Sequence, residues 1–202
     1  MTAILAAPHQ EPPTMRHLLS VILVLVAGFV AAAEQGTQPG QMPDMTLAQP
    51  GPEHQAMAKL AGSWDVAMKM WMEPGKPMES KGTSTIAAIL DGRYLREDFR
   101  GEVMGQPFTG IGIEGFDRVK NVYTLTWLDS MSTGIMHMEG ASTDGGKTVT
   151  YEGDCSCPME KRQIQTRTVT SIVDDKTFTV TMYATREGSE AKTMELRYTR
   201  AK

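Results

Sequence analysis

The chain has 202 residues and a formal net charge of −4 at pH 7. Its hydrophobic fraction of 41% and charged fraction of 22% are those of an ordinary folded protein and exclude an intrinsically disordered one. Acidic and basic residues are interspersed without a basic run, which argues against nucleic acid as a partner.

The N-terminus has the pattern of a secretory signal peptide. An uncharged, apolar run over residues 18–30 follows Arg16 and precedes Ala31–Ala33. This order of positive charge, apolar core and small-residue site is typical of cleavable export signals. The run is shorter than the ~20 residues of a transmembrane helix, so cleavage after Ala33 is favoured over a membrane anchor. We therefore expect residues 1–33 to be a signal peptide, and the mature protein to be periplasmic or secreted from a bacterium with no stable membrane span.

Residues 1–14 fit this signal poorly. They contain three prolines and no Lys or Arg, whereas Arg16 stands close before the apolar run. Since an export signal normally begins with positive charge, we hypothesise that translation starts at Met15. Detection of precursor peptides from before Met15 would contradict this hypothesis.

Two short segments precede the main domain. Residues 34–52 are rich in Gln, Pro and Gly, which predicts a flexible linker. Pro52 then suits the first position of a short helix through Ala61, because its missing N–H is not needed there. We place the folded domain at residues 53–202.

From Ser63 onward the apolar residues recur at every second position, which indicates half-buried β-strands. Val66, Met68 and Met70 begin this pattern, and turn residues separate the later runs. The later runs are Thr83–Leu90, Arg93–Val103, Phe108–Phe116, Val122–Asp129, Thr133–Ala141, Thr148–Gly153, Gln163–Val173, Thr177–Arg186 and Thr193–Arg200.

The short connections favour pairing of each strand with its neighbours in the chain. The predicted fold is all-β: an antiparallel, up-and-down meander of about 8–10 strands that closes into a barrel and so removes its exposed edges. A two-sheet sandwich is the alternative, but its crossings need longer connections than this chain has.

The segment Gly62-Ser63-Trp64 lies between the predicted helix and the first strand. In this position it resembles the G-x-W signature of lipocalin-type barrels. The resemblance implies that Trp64 packs at the closed end of the barrel. It also implies that an arginine late in the last strand lies across the tryptophan, and Arg200 is the residue in that position.

A longer set of residues resembles the bacterial family called domain of unknown function 1579. The resemblance covers about residues 54–202. It implies a lipocalin-like fold, and the family has no established activity to carry over. The matching residues are Leu60–Trp64, Gly92–Leu95, Gly115–Asp117, Tyr123, Trp127–Ser130 and Tyr198–Arg200.

If Trp64 faces inward, the alternation places an apolar, thioether-rich and aromatic set of side chains on the inner face. Such a lining suits a small hydrophobic or amphipathic ligand, so we predict a non-enzymatic binding module. The alternative is a structural module whose side chains fill the barrel, since eight-stranded interiors can be just filled. The predicted lining residues are Trp64, Met68, Met70, Tyr123, Trp127, Leu196 and Tyr198, with Met72, Leu125 and Met194 in phase.

Cys155 and Cys157 are the two cysteines of the chain. Three interpretations stay open: a strained disulfide at a hairpin tip, an intermolecular bridge, or soft ligands for Cu(I) together with Met159. The disulfide is favoured because structural metal sites normally have more ligands than these. We therefore predict no metal site.

No catalytic motif is present in the sequence. Asp129, Glu114 and His137 are isolated, and isolated acids at strand ends are usually solvated. A small hydrolase or isomerase that uses them at the barrel mouth is the enzymatic alternative. The predicted barrel resembles haem-binding barrels of related shape, and that resemblance implies a histidine near the end of the chain as the haem ligand. The last predicted strand contains no histidine, which argues against haem. We predict neither catalytic residues nor a cofactor.

Overall fold

The computed structural model describes residues 43–73 and 75–202. The predicted signal peptide, the start at Met15 and residues 34–42 of the predicted linker lie outside this part of the chain. The unit that contains the barrel comprises Asp44–Lys202. Within the described ranges, no helix is long and apolar enough to cross a membrane.

The described residues of the domain form one short helix and ten strands. A 3-10 turn at Thr46–Ala48 precedes helix α1 (Pro52–Ala58), which begins at the predicted proline and ends three residues earlier than predicted. The strands are β1 (Gly62–Met70), β2 (Met78–Ile89), β3 (Tyr94–Val103), β4 (Gln106–Asp117), β5 (Val122–Asp129), β6 (Met136–Ala141), β7 (Thr148–Cys157), β8 (Arg162–Asp174), β9 (Thr177–Arg186) and β10 (Ser189–Arg200).

The strands form a closed antiparallel barrel. Each strand pairs with its neighbours in the chain, and β1 pairs with β10 to close the sheet. The closing register places Trp64 opposite Arg200 and Met70 opposite Met194. The predicted meander barrel is therefore confirmed, with ten strands at the upper end of the predicted number.

Alternating burial along each strand separates the interior from the surface. In β1, Trp64, Val66 and Met68 are buried while Asp65 and Lys69 are exposed. This is the period of two expected for a sheet with one face inward.

The tightest hairpins use residues with positive φ. Met104 and Gly105 connect β3 to β4 with φ values of 54° and 76°, and Glu187 and Gly188 connect β9 to β10 with 52° and 78°. Two consecutive positive φ angles are those of a type I′ turn, whose twist matches antiparallel strands. The short turns thus keep consecutive strands adjacent.

One end of the barrel is closed by the pair that the G-x-W resemblance implied. The Arg200 guanidinium carbon lies 4.3 Å from the centre of the Trp64 ring. The guanidinium also donates hydrogen bonds to the carbonyls of Lys59 and Ala61, each at 3.0 Å. Trp64 Nε1 donates to the carbonyl of Leu60 at 2.9 Å. These contacts join the last strand, the first strand and the segment after α1.

Gly62 of the G-x-W segment leaves space for this closure. Its φ of +143° lies in a range that favours glycine. A Cβ atom at this position would collide with Nη1 of Arg200. Glycine here therefore allows the arginine to reach the backbone carbonyls.

The end of the predicted linker is bound to the barrel. Arg118 donates to the carbonyls of Thr46 and Gln49, at 2.6 and 3.0 Å, and Arg93 donates to that of Ala48 at 3.2 Å. Because two arginines supply donors to this backbone, residues 46–49 are attached at the closed end rather than free of it.

Removal of the closing arginine should destabilise the fold. We expect Arg200→Ala to lower the free energy of unfolding by about 2–3 kcal/mol. The cation–π contact, the hydrogen bonds to the carbonyls of Lys59 and Ala61, and a third from Nε to the carbonyl of Asp175 are lost together. Urea denaturation would measure this change. Arg197→Ala is the matched control, since Arg197 is exposed on the outer face of β10 and should cost no more than about 0.5 kcal/mol. Equal losses in both variants would contradict the role of Arg200.

Candidate functional site

The part of the barrel next to α1 is filled by aromatic side chains. Trp64 packs edge-on against Phe178, with ring centres 4.7 Å apart, and Phe178 stacks on Tyr198 at 4.1 Å. Phe116 and Tyr123 pack against each other at 4.8 Å. These rings form a packed floor at the closed end.

Above this floor the interior contains a cavity of about 420 Å³. This volume is within the ~300–1,000 Å³ of typical small-molecule sites. Most of the lining side chains are apolar. They include Met68, Met70, Ile86, Leu95, Phe99, Val103, Phe108, Leu125, Trp127, Met136, Val180, Met194 and Leu196.

The predicted lining residues divide between the cavity and the packed floor. The seven predicted lining residues are buried or half-buried, whereas Met72, in phase with them, is exposed. Alternation along a strand identifies the inward face, but it does not show how far along the barrel the packed part extends. Met68, Met70, Trp127, Leu196 and Tyr198 line the cavity, whereas Trp64 and Tyr123 do not reach it.

Two glycines of β4 make room for the largest side chain of the lining. Gly112 lies opposite Trp127 on β5, and a Cβ atom on Gly110 would overlap the Trp127 ring. Trp127 Nε1 donates to Asp129 Oδ2 at 3.0 Å, which satisfies its one polar group. The alternating glycines therefore serve a bulky cross-strand neighbour, as their position on a strand predicts.

The mouth of the cavity is surrounded by methionines. Met72, Met104, Met131 and Met159 lie in four different connections at the end opposite α1, and all four line the cavity. They are between 48% and 69% exposed. Their flexible thioether side chains give the entrance an adaptable apolar rim.

Two glutamates interrupt the apolar interior. Glu97 Oε1 accepts hydrogen bonds from Ser84 Oγ at 2.7 Å and from the Tyr198 hydroxyl at 3.0 Å. Glu114 Oε1 accepts a hydrogen bond from the Tyr151 hydroxyl at 3.0 Å. Both glutamates line the cavity. Their hydroxyl partners on β10 and β7 lie across the interior, so the two hydrogen bonds connect separate walls of the barrel.

Burial changes the acidity of both carboxyl groups. Loss of solvation raises the pKa of Glu114 from its ordinary 4.5 to about 7, against the opposing effect of the Tyr151 hydrogen bond. Loss of solvation likewise raises the pKa of Glu97, although Ser84 and Tyr198 lower it. Each glutamate therefore keeps its proton at a higher pH than a solvated one.

The expectation that isolated acids are solvated is wrong for Glu114, and Glu97 was not predicted at all. The reason is the barrel interior, which encloses side chains near strand ends as well as at strand centres. A signal was present in the sequence. Glu97 is in phase with the buried Leu95 and Phe99, and Glu114 is in phase with Phe116.

The other residues of the enzymatic alternative do not join Glu114. His137 is exposed on the outer face of β6, where its Nδ1 lies 3.1 Å from Thr126 Oγ1. Asp129 lies at the mouth and accepts hydrogen bonds from Trp127 and from the backbone N–H of Met131. The structure thus does not assemble these three side chains into one site.

The cysteines lie in a strand and not at a hairpin tip. Cys155 and Cys157 are free thiols at the end of β7, and both line the cavity near its mouth. Cys155 Sγ accepts a hydrogen bond from Thr166 Oγ1 at 3.3 Å. Among residues 43–73 and 75–202, no group of three or more His, Cys, Asp or Glu side chains is placed to hold a metal ion.

Comparisons with known proteins identify one family and structurally similar chains. The model of the family described as "Protein of unknown function (DUF1579)" matches residues 49–200, and no curated protein matches the chain. The crystal structure of Rv2717c from M. tuberculosis is similar over 76% of this chain and 100% of its own, with 15% identity and a TM-score of 0.53. The structure of a redesigned β-barrel, b11L5F_LGL, covers 73% of this chain and 96% of its own at 15% identity, with a TM-score of 0.40.

The buried carboxyl of Glu114 should make stability depend on pH. Its pKa is higher in the folded than in the unfolded state, so its contribution is fully present below about pH 4.5 and is lost as pH rises through about 7. Glu114→Gln removes this titration. We expect the variant to gain on the order of 3 kcal/mol relative to the wild type between about pH 4 and about pH 8.

Urea denaturation at a series of pH values would measure this difference. Glu102→Gln is the control, because Glu102 is exposed on the outer face of β3. A stability difference between the wild type and Glu114→Gln that does not change with pH would contradict the buried placement of Glu114.

Proposed function

We propose that this protein, which belongs to the DUF1579 family of proteins of unknown function, binds a small hydrophobic or amphipathic molecule inside its barrel. The observation that carries the proposal is the apolar cavity of about 420 Å³ above the packed aromatic floor. Most of its lining is apolar, and two charged groups, Glu97 and Glu114, lie within the interior, as is usual in small-molecule sites.

The contrast between the two halves of the interior supports binding over a purely structural module. At the closed end the rings of Trp64, Phe178 and Tyr198 pack in contact. In the cavity half, the side chains of Met70, Leu125 and Trp127 are only partly buried. A ligand that covers exposed apolar surface stabilises the complex by about 25 cal/mol for each Å² removed from water. A molecule of the right shape would therefore bind by burial alone.

The route into the cavity also supports this function. The mouth is formed by connections and not by the sheet itself, and its methionines are among the most adaptable apolar side chains. A ligand can enter between Met72, Met104, Met131 and Met159 without opening any strand pair.

Blocking the cavity with one large side chain tests the proposal. Met136, the first residue of β6, is half-buried and lines the cavity, whereas His137 beside it faces solvent. We expect Met136→Trp to weaken binding of the neutral fluorescent dye prodan by about tenfold or more, which corresponds to at least about 1.4 kcal/mol. Titration of the dye by fluorescence gives the dissociation constant.

The matched control is His137→Trp, which adds the same ring to the opposite face of the same strand. Its affinity for prodan should equal that of the wild type. Circular dichroism establishes that both variants are folded. If prodan does not bind the wild type, or if Met136→Trp leaves its affinity unchanged, the proposed binding site is wrong.

We also propose that the protein acts outside the bacterial cytoplasm. The support is the sequence of residues 16–33, with its positive charge, apolar run and A-x-A site. A binding protein for hydrophobic molecules in such a compartment would carry cargo that water does not dissolve.

Expression of the full chain in a Gram-negative bacterium tests the export signal. We expect the protein from the periplasmic fraction to begin at Glu34, because Ala31–Ala33 provide the cleavage site. Intact-mass spectrometry of that fraction gives the N-terminus. Ala33→Arg should block cleavage at this position and leave the precursor. A mature-length product from the arginine variant would contradict the assigned site.

A further inference from the structure

The two interior glutamates lie side by side on neighbouring strands. Glu97 is directly opposite Gly112, and Glu114 is two residues further along β4. Diagonal neighbours of this kind have Cα atoms about 7–8 Å apart and side chains on the same face. The Trp127 ring occupies the space beside Gly112. The two carboxyl groups are within electrostatic reach of each other, because the charge of Glu97 contributes to the raised pKa of Glu114.

Each carboxyl group has one oxygen bound to the protein and one that faces the cavity. The hydroxyl groups of Ser84, Tyr198 and Tyr151 all donate to an Oε1 atom. No hydrogen bond from the described residues reaches Oε2 of Glu97 or of Glu114. Among the described residues, every fully buried side-chain oxygen has a hydrogen-bond partner. Because the two Oε2 atoms have no partner, they are not fully buried and retain accessible surface. They are acceptors open to the cavity.

No cation of the described chain neutralises this pair. Lys and Arg side chains form eight ion pairs among the described residues, and none includes Glu97 or Glu114. Among the described residues, Arg186 is the one basic side chain of the cavity lining, and it is paired with Glu160 at 2.8 Å. Burial raises the pKa of both glutamates, and no positive charge offsets that effect.

From this geometry we propose that the cavity selects amphiphiles with an amine head group, which would lie between Glu97 and Glu114 while the apolar tail extends toward the mouth. The inference rests on the proposed binding function and names its ligand class. An alkylammonium group has three N–H donors and a positive charge, which complements two acceptor oxygens that have neither a donor nor a cation. Charge-assisted hydrogen bonds of this kind are roughly twice as strong as neutral ones.

Other head groups fit the pair less well. A carboxylate ligand would meet like charge, and the tyrosine hydroxyls that could bind it already donate to the glutamates. An alcohol donates one hydrogen bond without charge. A divalent metal ion prefers six or more oxygen ligands, and the described residues around the glutamates supply no third metal-binding side chain.

Three ten-carbon ligands that differ only in head group test this inference. Decylamine, decanol and decanoate compete with prodan for the wild-type protein at about pH 8. We expect decylamine to displace the dye at a concentration about tenfold or more below that of decanol, because a hydrogen bond to a charged group contributes at least that factor. Decanoate should be the weakest competitor.

Conservative variants connect this preference to the glutamates. Glu97→Gln and Glu114→Gln keep the side-chain shape and remove the charge, so both should bring decylamine close to decanol. Glu102→Gln, on the outer face of β3, should keep the full preference.

The outcomes separate the two proposals. If decanol and decylamine bind the wild type equally, or if the amine preference survives in Glu97→Gln and Glu114→Gln, the amine inference is overturned while the binding cavity stands. If neither prodan nor any of the three ligands binds, the proposed function fails and the inference fails with it. The comparison of head groups on the wild type needs no variant, so a variant that does not fold leaves the inference testable.

Discussion

Closure of the sheet between β1 and β10 determines the rest of this structure. The register that places Trp64 opposite Arg200 joins ten strands into one ring. An eight-stranded barrel is just wide enough for its own side chains to fill, and the diameter grows with the number of strands. Ten strands can therefore be filled only where the inward residues are large. The rings of Trp64, Phe178 and Tyr198 fill the closed end, whereas above them the inward side chains leave the cavity of about 420 Å³.

The hydrogen-bonded glutamates follow from the same width. A carboxyl group in an apolar interior needs partners, because burial without them is costly. The Tyr198 and Tyr151 hydroxyls reach Glu97 and Glu114 across the barrel and supply those partners. The bonds stabilise the carboxyl groups only in part, since the pKa of each glutamate stays raised. Glu97 and Glu114 are therefore two acidic groups without a cation in an otherwise mostly apolar interior.

The sequence predicts the strands of this barrel better than the arrangement of its interior. Alternation and turn residues locate every strand, because both are local properties of the chain. The position of the cysteines was less predictable. Strand β7 continues to Cys157, because its last residues pair with β8: Cys155 with Ile164, and Cys157 with Arg162. No local sequence pattern shows such a contact between strands. The position of the cavity along the barrel and the burial of Glu97 depend on side chains from all ten strands, which meet only in the folded barrel. In the sequence, only the alternation that places Glu97 on the same face of β3 as Leu95 and Phe99 indicated its burial.

The two ends of the cavity impose different requirements on a ligand. At the deep end, the hydroxyl groups of buried tyrosines hold Glu97 and Glu114 in place. Carboxyl groups held in this way distinguish one ligand head group from another, because a head group with the wrong donor or charge leaves them unpaired. At the mouth, the exposed thioether side chains of residues such as Met104 and Met159 change conformation at little cost. Selectivity should therefore come from the head group, whereas tails of different length and branching should be accepted. A barrel built in this way binds a chemical class and not a single compound.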